Sequence, residues 1–265
     1  MVERSRRGKG KHRRQQKLLG SHARCWLWGR NLIRETLAAA RWPILELYLS
    51  EKLPPDEIDQ AQSAAERMGI RARIEGHHVL ERLGKTSEHQ GFLAKMGPFP
   101  YAPAGELLSR ATERPLYLIL DQIHDPYNFG AMLRSAAAFA VDGVFVRATR
   151  QAPVTSQVAR SSAGAVNRVA IVQADDLVEL ARALRARRVN VVGAVETADL
   201  ELTACNFRQS TAIVIGNEGT GICPELRDCC DVRVRIPIEG CVGSLNAAAA
   251  AAVFFFEVRR QRQCV

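Results

Sequence analysis

The pattern of apolar and polar positions changes near residue 115 of the chain. Ahead of this point, alternating apolar residues predict short strands at ILELYLS, IRARI and GFLAKM. Apolar residues three and four positions apart predict helices over residues 28–40, 56–68 and 77–84. Helices and strands that alternate over so short a stretch predict a small α/β domain, residues 24–97.

Beyond residue 115 the repeating unit is longer. The continuous apolar run LYLIL is typical of a buried strand in a parallel sheet. Further strands are predicted at VDGVFVR, VNRVAIVQ, VNVVGAV, TAIVIG and VRVRIP, and helices at 129–140, 156–165, 175–186 and from Ala247 onward. Strands that alternate with helices predict a mostly parallel α/β sheet over residues 115–265. The segment 98–114, rich in Pro and Gly, is predicted to be a linker.

Positive charge is concentrated at the N-terminus. Residues 1–20 contain eight Lys or Arg and one Glu, a net +7, which leaves +2 of the total +9 for the rest of the chain. Such a segment cannot bury apolar surface, so we predict a disordered tail over residues 1–23. A phosphate-binding arm, a solubilising tail and a mitochondrial presequence are all compatible with this composition.

Several patterns expected of other protein classes are missing from the sequence. No apolar run approaches the roughly 20 residues of a membrane span, and no apolar core follows the basic N-terminus as in a secretory signal. The seven cysteines form no C-x-x-C pair, and all six histidines lie at or before His124. We therefore predict reduced thiols, no metal site and a cytoplasmic protein. Cys229 and Cys230 are predicted to be buried small residues rather than a redox pair.

Polar residues follow the strand LYLIL at the position where α/β sheets bind ligands. The turn DPYN leads into a helix rich in small residues, and Asn128 and Arg134 lie on this turn and helix. Asn128 alone is equally typical of a turn or a helix cap. Arg134 has apolar neighbours in sequence, which indicates that it needs a polar partner.

A second strand, AIVI, runs into a glycine-rich loop. Gly216, Gly219 and Gly221 form G-x-x-G-x-G, which differs from the dinucleotide fingerprint G-x-G-x-x-G and lacks the GK[ST] of a phosphate-binding loop. Glu218 in the middle of this loop would repel phosphate, so the loop favours a ligand with positive charge or hydroxyl groups. Alternatively, Glu218 fixes the loop by accepting hydrogen bonds from backbone N–H groups.

A third segment lies near the C-terminus, between Arg235 and Val258. A short strand leads into a loop in which Gly240 and Gly243 allow close approach of a ligand to the backbone. The tripeptide Ser244-Leu245-Asn246 then opens a helix that begins with six alanines. Small polar side chains at a helix start are typical caps.

Together the three segments resemble the signature motifs of the SpoU-type RNA ribose 2′-O-methyltransferases, within the SPOUT superfamily. The matching residues are N-F-G-A-x-x-R at 128–134, I-G-N-E-G-x-G at 215–221 and R-I-P-I-x-G-x-x-x-S-L-N at 235–246. The resemblance covers residues 115–260 and extends more weakly over 24–96. It implies a SPOUT α/β-knot catalytic domain with a C-terminal trefoil knot, preceded by a small ribosomal-protein-like domain that binds the substrate.

The resemblance also implies the chemistry. The cofactor is S-adenosyl-methionine, the substrate is RNA, and the enzyme is a homodimer with each site close to the partner subunit. The cofactor-binding residues are expected to be Gly216, Asn217, Ile236, Ser244 and Leu245. The catalytic residues are expected to be Asn128, Arg134, Glu218, Ser244 and Asn246. Arg134 is expected to hold a phosphate and stabilise the developing oxyanion, because arginine is almost never deprotonated.

The substrate expected from the resemblance is a guanosine ribose of large-subunit ribosomal RNA. A transfer RNA methyltransferase and a catalytically inactive RNA-binding or ribosome-assembly homologue are the alternatives. The simultaneous presence of the five expected catalytic residues argues against the inactive homologue. The glycine spacing argues against a doubly wound dehydrogenase.

Overall fold

The computed structural model describes residues 26–110, 112–241 and 243–263, so the predicted basic tail lies outside the described residues. The described chain forms two compact units. The first consists of residues 26–100 together with 154–160, and the second contains the remaining described residues.

The first unit is built on a four-stranded mixed sheet with strand order β1-β4-β2-β3. Its strands are β1 Trp26–Trp28, β2 Ile44–Ser50, β3 Arg71–Glu75 and β4 Phe92–Met96. Its helices are α1 Arg30–Ala39, α2 Pro55–Arg67 and α3 His77–Gly84. Strands β2 and β3 are parallel, whereas β4 is antiparallel to both β1 and β2. The three predicted strands and the last two predicted helices are confirmed to within about a residue or two.

The first predicted helix was wrong at its start. Trp28 belongs to β1, where it pairs with Leu93 of β4. Gly29 follows with a φ of 107°, a backbone conformation that favours glycine, and the helix begins at Arg30. A strand of three residues is too short to show an alternating pattern, which is why the sequence did not indicate it.

The second unit contains a seven-stranded sheet with the order β7-β6-β5-β10-β8-β11-β9, and every strand pair in it is parallel. Its strands are β5 Leu116–Leu120, β6 Gly143–Arg147, β7 Ile171–Ala174, β8 Asn190–Ala194, β9 Leu200–Glu201, β10 Thr211–Ile215 and β11 Val232–Arg235. Its helices are α4 Ala104–Ser109, α5 Pro126–Ala138, α7 Leu177–Ala186, α8 Pro224–Asp228 and α9 Ala247–Gln263. Helix α6, Ser156–Ser161, lies in the segment 154–160 of the first unit except for its last residue. The predicted parallel α/β sheet is confirmed.

Differences from the prediction lie in short elements, at helix ends and at the start of one strand. The strand predicted at VNRVAIVQ was wrong at its start, because β7 begins only at Ile171. The two-residue strand β9 and the five-residue helix α8 were missed because neither is long enough to show periodicity. Helix α6 ends at Ser161, earlier than expected, and a 3-10 turn follows at Ala165–Asn167. Helix α4 lies in the segment predicted to be a linker, where Leu107 is buried. Among the described residues, no helix is long and apolar enough to cross a membrane.

Parallel pairing brings the carboxyl ends of four central strands to one edge of the sheet. Ile215 of β10 lies level with Leu120 of β5, while Val234 of β11 lies level with Ala194 of β8. Strands β5 and β10 are completely buried, as their apolar runs predict. The loops that carry the three sequence motifs therefore leave the sheet on the same side. The trefoil knot stays a prediction.

The described cysteines in the second unit are free thiols. Cys229 is buried, as predicted, and Cys230 is half-buried. Burial raises the pKa of the Cys205 thiol to about 11. Burial, followed by the charges of Cys229 and Asp231, raises the pKa of Cys230 to about 12. These thiols are therefore protonated and unreactive near neutral pH.

Three side chains of the first unit that could ligate a metal lie together, although their spacing along the chain did not suggest it. His77, Glu81 and His89 each offer a ligand atom, and these atoms lie within 4.8 Å of one another. The Gly91 amide donates to Nδ1 of buried His89 at 3.0 Å, so the neutral ring carries its proton on Nε2. Burial foremost, and the charge of His77, lower the pKa of His89. This geometry favours a buried neutral histidine, and the absence of a metal stays a prediction.

Candidate functional site

A cavity of about 700 Å³ opens at the carboxyl edge of the second unit's sheet. The loops after β8, β10 and β11 and the first turns of α9 form its walls. The predicted site residues that line it are Gly216, Asn217, Glu218, Ile236, Ser244, Leu245 and Asn246. The second and third sequence motifs therefore meet in one cavity.

Gly216 is required by the close approach of two backbone segments. A Cβ atom at this position would lie 2.2 Å from both the carbonyl carbon of Gly221 and the amide nitrogen of Ile222. The loop folds back on itself at this point, because Asn217 and Gly221 exchange backbone hydrogen bonds of 3.1 and 2.9 Å. The tight loop leaves one side of its backbone facing the cavity.

Asn217 holds the same loop from the inside. Its Oδ1 accepts hydrogen bonds from the amides of Gly219 and Thr220, at 2.9 and 3.2 Å. Its Nδ2 donates to the carbonyl of Gln122, which follows β5, at 2.9 Å. The side chain of Asn217 is thus committed to shaping the loop that lines the cavity.

A chain of side-chain amides connects all three motifs. Asn128 Nδ2 donates to Glu218 Oε1 at 2.6 Å, and Asn246 Nδ2 donates to Asn128 Oδ1 at 2.9 Å. Asn246 Oδ1 in turn accepts from the amides of Ala248 and Ala249, which caps helix α9. A carboxylate can only accept, so the charge of Glu218 determines the orientation of both amides. Glu218 therefore bonds to a side chain rather than to the backbone of its own loop.

Asn128 belongs to a helix rather than to a turn. Helix α5 begins at Pro126, three residues before the predicted start, and Asp125 caps it by accepting from the Tyr127 amide. Proline at the first helical position has no N–H that would need a partner. Asn128 is therefore held in the first turn of a regular helix, and its side chain reaches Glu218 from a rigid base.

A buried ion pair beneath the cavity was missed by sequence reasoning. Asp121 is fully buried directly after β5 and accepts from Arg147 Nε at 2.6 Å and from the Cys223 amide at 2.7 Å. Burial alone would lower the pKa of Arg147, but its hydrogen bond to Asp121 leaves that pKa raised. The pair joins the ends of β5 and β6 to the loop that follows Gly216. Asp121 is adjacent to the first motif, but only the fold reveals its partners.

Asp121→Ala is expected to lower the free energy of unfolding by about 3 kcal/mol, because it leaves the Cys223 amide and the Arg147 guanidinium without their buried partner. Urea unfolding followed by circular dichroism measures this. Glu106→Ala, which removes the exposed ion pair with Arg110, is the control and should cost less than about 0.5 kcal/mol. Equal effects of the two substitutions would contradict a structural role for the buried pair.

Arg134 lies apart from the other predicted catalytic residues. It is exposed on α5, does not line the cavity, and makes no hydrogen bond or ion pair with another described residue. The apolar residues next to it in sequence face the core, since Met132 and Leu133 are buried, while Arg134 faces outward. The structure therefore brings Asn128, Glu218 and Asn246 together without Arg134.

Other polar residues of the cavity were not singled out by the sequence. Glu196 and Thr197, which follow β8, line it, as do Arg227 of α8 and Arg235 of β11. Arg235 forms an ion pair with Glu201, whereas the buried Nε of Arg227 has no hydrogen-bond partner among the described residues. Arg235 is the first residue of the third motif, whereas no motif surrounds the other three positions, which only the tertiary structure reveals.

The parallel sheet and its cavity define an α/β protein that binds a ligand through loops at the carboxyl ends of its strands. A family model described as "SpoU rRNA Methylase family" matches residues 115–256. A second, described as "RNA 2'-O ribose methyltransferase substrate binding", matches residues 26–102. The chain therefore belongs to the SpoU family of RNA methyltransferases, whose cofactor is S-adenosyl-methionine.

Individual relatives agree with this assignment. The chain is 31% identical over 239 residues to the 23S rRNA (guanosine-2'-O-)-methyltransferase RlmB of Shewanella oneidensis, covering 89% of this chain and 97% of that protein. It is 30% identical over 240 residues to the putative TrmH family tRNA/rRNA methyltransferase YacO of Bacillus subtilis, covering 89% and 96%. The SpoU methyltransferase AviRb from Streptomyces viridochromogenes, crystallised with AdoMet, superposes with a TM-score of 0.76 at 26% identity over 91% of each chain. The resemblance stated from the three motifs is confirmed.

Proposed function

We propose that this protein methylates the 2′-hydroxyl of a guanosine ribose in large-subunit ribosomal RNA. The observation that carries the proposal is the cavity at the carboxyl edge of the sheet, whose walls contain the second and third motifs. The hydrogen bonds of Asn128 to Glu218 and Asn246 connect the first motif to these walls. The relative from Shewanella oneidensis, named as a 23S rRNA guanosine methyltransferase, supports the choice of substrate. The substrate-binding match over residues 26–102 supports a second contact with RNA.

The residues of the cavity fit S-adenosyl-methionine. When bound, the cofactor supplies an activated methyl group. Gly216, Ile236 and Leu245 offer backbone groups and apolar contacts, and the glycine exposes its backbone at a point where no side chain could fit. Glu218 and Glu196 suit the positive charge of a sulfonium and the hydroxyls of its ribose. Asn217 and Ser244 complete this set of cofactor-binding residues.

The amide chain can position the substrate ribose. A 2′-hydroxyl is a poor nucleophile, so catalysis depends on alignment and on help in removing its proton. Asn128, Glu218 and Asn246 lock one another in fixed orientations, and Ser244 lies at the same cavity wall. Arg134 acts as a phosphate anchor and electrostatic stabiliser of the oxyanion.

A homodimer accounts for the position of Arg134 outside the cavity of its own chain. Helices α5 and α9 pack together, and both carry large apolar side chains that face solvent. Tyr127 is 62% exposed, Phe256 60% and Val253 36%. Such exposed apolar side chains are typical of interfaces. In a dimer formed through these helices, Arg134 of one protomer lies within the interface and serves the cavity of its partner.

Phe256→Glu is expected to raise the dimer dissociation constant by at least about 100-fold, because a symmetric interface loses the burial of two phenyl rings, about 3 kcal/mol or more. Sedimentation velocity across a concentration series measures this. Leu45→Glu, at an exposed apolar position of the first unit, is the matched control and should leave the dimer intact. A monomeric wild-type protein, or equal effects of both substitutions, would contradict the proposal.

The activity itself is tested by transfer of a labelled methyl group from S-adenosyl-methionine to RNA. Deproteinised ribosomal RNA, isolated large subunits and transfer RNA should be compared as acceptors, and 2′-O-methyl positions mapped in the product. We expect incorporation at one guanosine of the large-subunit RNA. Incorporation into transfer RNA alone would support the first alternative, and cofactor binding without transfer to any RNA would support the inactive homologue.

A further inference from the structure

Exposed arginines accumulate at the amino-terminal edge of the second unit's sheet, opposite the cavity. We call this set the arginine edge, and it consists of Arg114, Arg187, Arg188, Arg208, Arg259 and Arg262. All except Arg262 are exposed, and Arg262 is half-buried.

Strand register brings the segments with the first four of these arginines together. Thr211, the first residue of β10, pairs with Leu116 of β5 on one side and with Asn190 of β8 on the other. Three neighbouring strands therefore begin at the same level. Arg114 precedes Leu116 by two residues, Arg188 precedes Asn190 by two, and Arg208 precedes Thr211 by three.

Helix α9 adds the last two arginines. Arg262 donates to the carbonyls of Arg114, Phe207 and Gln209, at 2.7, 3.1 and 2.8 Å, so the end of the helix is fixed against this edge. Burial foremost, and then the charge of Arg114, lower the pKa of Arg262, and Arg259 contributes to the same effect. The guanidinium group of Arg262 is therefore close enough to those of Arg114 and Arg259 to be repelled by them.

The charge of this edge is not balanced locally. Glu113 is next to Arg114 in sequence, and Asp142 accepts a hydrogen bond from the Leu116 amide at the start of β5. The six arginines and these two carboxylates carry a net charge of +4. The neighbouring ion pairs Arg185–Asp231 and Arg260–Glu257 add no net charge. Residues 21–265 carry a net charge of +2, so the residues in this range other than the six arginines and the two carboxylates carry a net charge of −2. Positive charge outside the tail is thus concentrated on one surface.

We propose that the arginine edge is a second RNA-binding surface, which contacts phosphates of a folded RNA at the side of the sheet opposite the cavity. The inference rests on the proposed function, because RNA is the polyanion on which the enzyme acts. Phosphates relieve the repulsion between the arginines and release counterions from the RNA. A five-residue strand spans roughly 16 Å, so an RNA that reaches both edges must be folded or long. This property suits a large structured RNA better than a short single strand.

The test compares two double variants of the full chain that change the charge equally. Arg114→Gln with Arg208→Gln removes two exposed guanidinium groups of the arginine edge, and both residues keep the hydrogen bonds that their backbone atoms make to Arg262 and Asn206. Arg182→Gln with Arg233→Gln removes two exposed arginines elsewhere in the second unit. The probe is a fluorescent transcript of large-subunit ribosomal RNA, and its dissociation constant is measured by anisotropy between 50 and 300 mM salt.

Because two phosphate contacts are lost, we expect the negative slope of log affinity against log salt to become shallower by roughly 1.5 in the edge variant. Near 0.1 M salt this corresponds to binding about thirtyfold weaker than that of the wild type. The control should keep the wild-type slope. Unchanged affinity for S-adenosyl-methionine and an unchanged melting temperature verify that the variant is folded. Equal slopes for both variants would overturn the proposal. If the wild-type protein transferred no methyl group to RNA, the proposed function would be wrong, independently of the salt slopes of the variants.

Discussion

Gly216→Ala is expected to weaken the binding of S-adenosyl-methionine by at least about 100-fold. The added Cβ would lie 2.2 Å from backbone atoms of Gly221 and Ile222, and backbone cannot move aside as the end of a side chain can. The loop must therefore open, which breaks the two hydrogen bonds between Asn217 and Gly221 and displaces the cavity wall. A loss of about 3 kcal/mol corresponds to this factor. Isothermal titration calorimetry with the cofactor measures it.

Gly219→Ala is the matched control in the same loop. A Cβ at this position would meet Asn217 Oδ1 at 3.5 Å, which is ordinary van der Waals contact. We expect it to change cofactor affinity by no more than a few-fold. Similar affinities for the two alanine variants would show that the cofactor does not depend on the tight loop after β10, and the proposed binding site would then be wrong.

Arg134→Ala is expected to slow methyl transfer about 1000-fold while leaving cofactor affinity unchanged. The reason is that Arg134 does not line the cavity of its own chain, yet a preorganised cation near a developing oxyanion contributes several kcal/mol to catalysis. Single-turnover kinetics and calorimetry separate the two effects. Arg134→Lys should recover part of the rate, because it restores the charge without the planar fork. Arg182→Ala, on the exposed face of α7, should retain the full rate. A rate within a few-fold of wild type would exclude the proposed role.

Mixed dimers show on which cavity Arg134 acts. If it serves the partner's cavity, a dimer of one Arg134→Ala protomer and one Gly216→Ala protomer retains one complete site, because the intact cavity receives the intact arginine. At a cofactor concentration too low to fill the Gly216→Ala site, we expect such dimers to recover roughly half of the wild-type rate, far above the rate of either parent variant. Absence of recovery in purified mixed dimers would place the arginine at the cavity of its own chain.

The sequence by itself determined the layered architecture of the catalytic unit. The apolar runs at β5 and β10 predicted fully buried parallel strands, and both are fully buried. Because parallel strands place their carboxyl ends together, the order of the three motifs was enough to predict one shared site. The motif residues themselves predicted the family. Buried strands are predicted from local apolar runs, and a shared site is predicted from the rule that parallel strands place their carboxyl ends together. Both need only the order of residues along the chain.

Long-range pairing was decided only by the tertiary structure. Asn128 and Glu218 are 90 residues apart, and Asn128 and Asn246 are 118 apart, so no local pattern could indicate that one carboxylate orients two amides. The same holds for Asp121, whose partner Cys223 lies 102 residues further along. Short elements such as β1 and β9 exist because a neighbouring strand supplies their hydrogen bonds, and their own residues show no periodicity.

The outward position of Arg134 is another feature that the sequence did not predict and the tertiary structure decided. Its apolar neighbours predicted an arginine in need of a partner, but the helix directs them to the core and Arg134 to the surface. The sequence predicts that this segment is helical. Which face of helix α5 is buried depends on its start at Pro126 and on its packing against α9. The sequence thus predicted which residues carry the chemistry. The tertiary structure decided which of them meet, because hydrogen bonds and ion pairs depend on distances in space that chain separation does not encode.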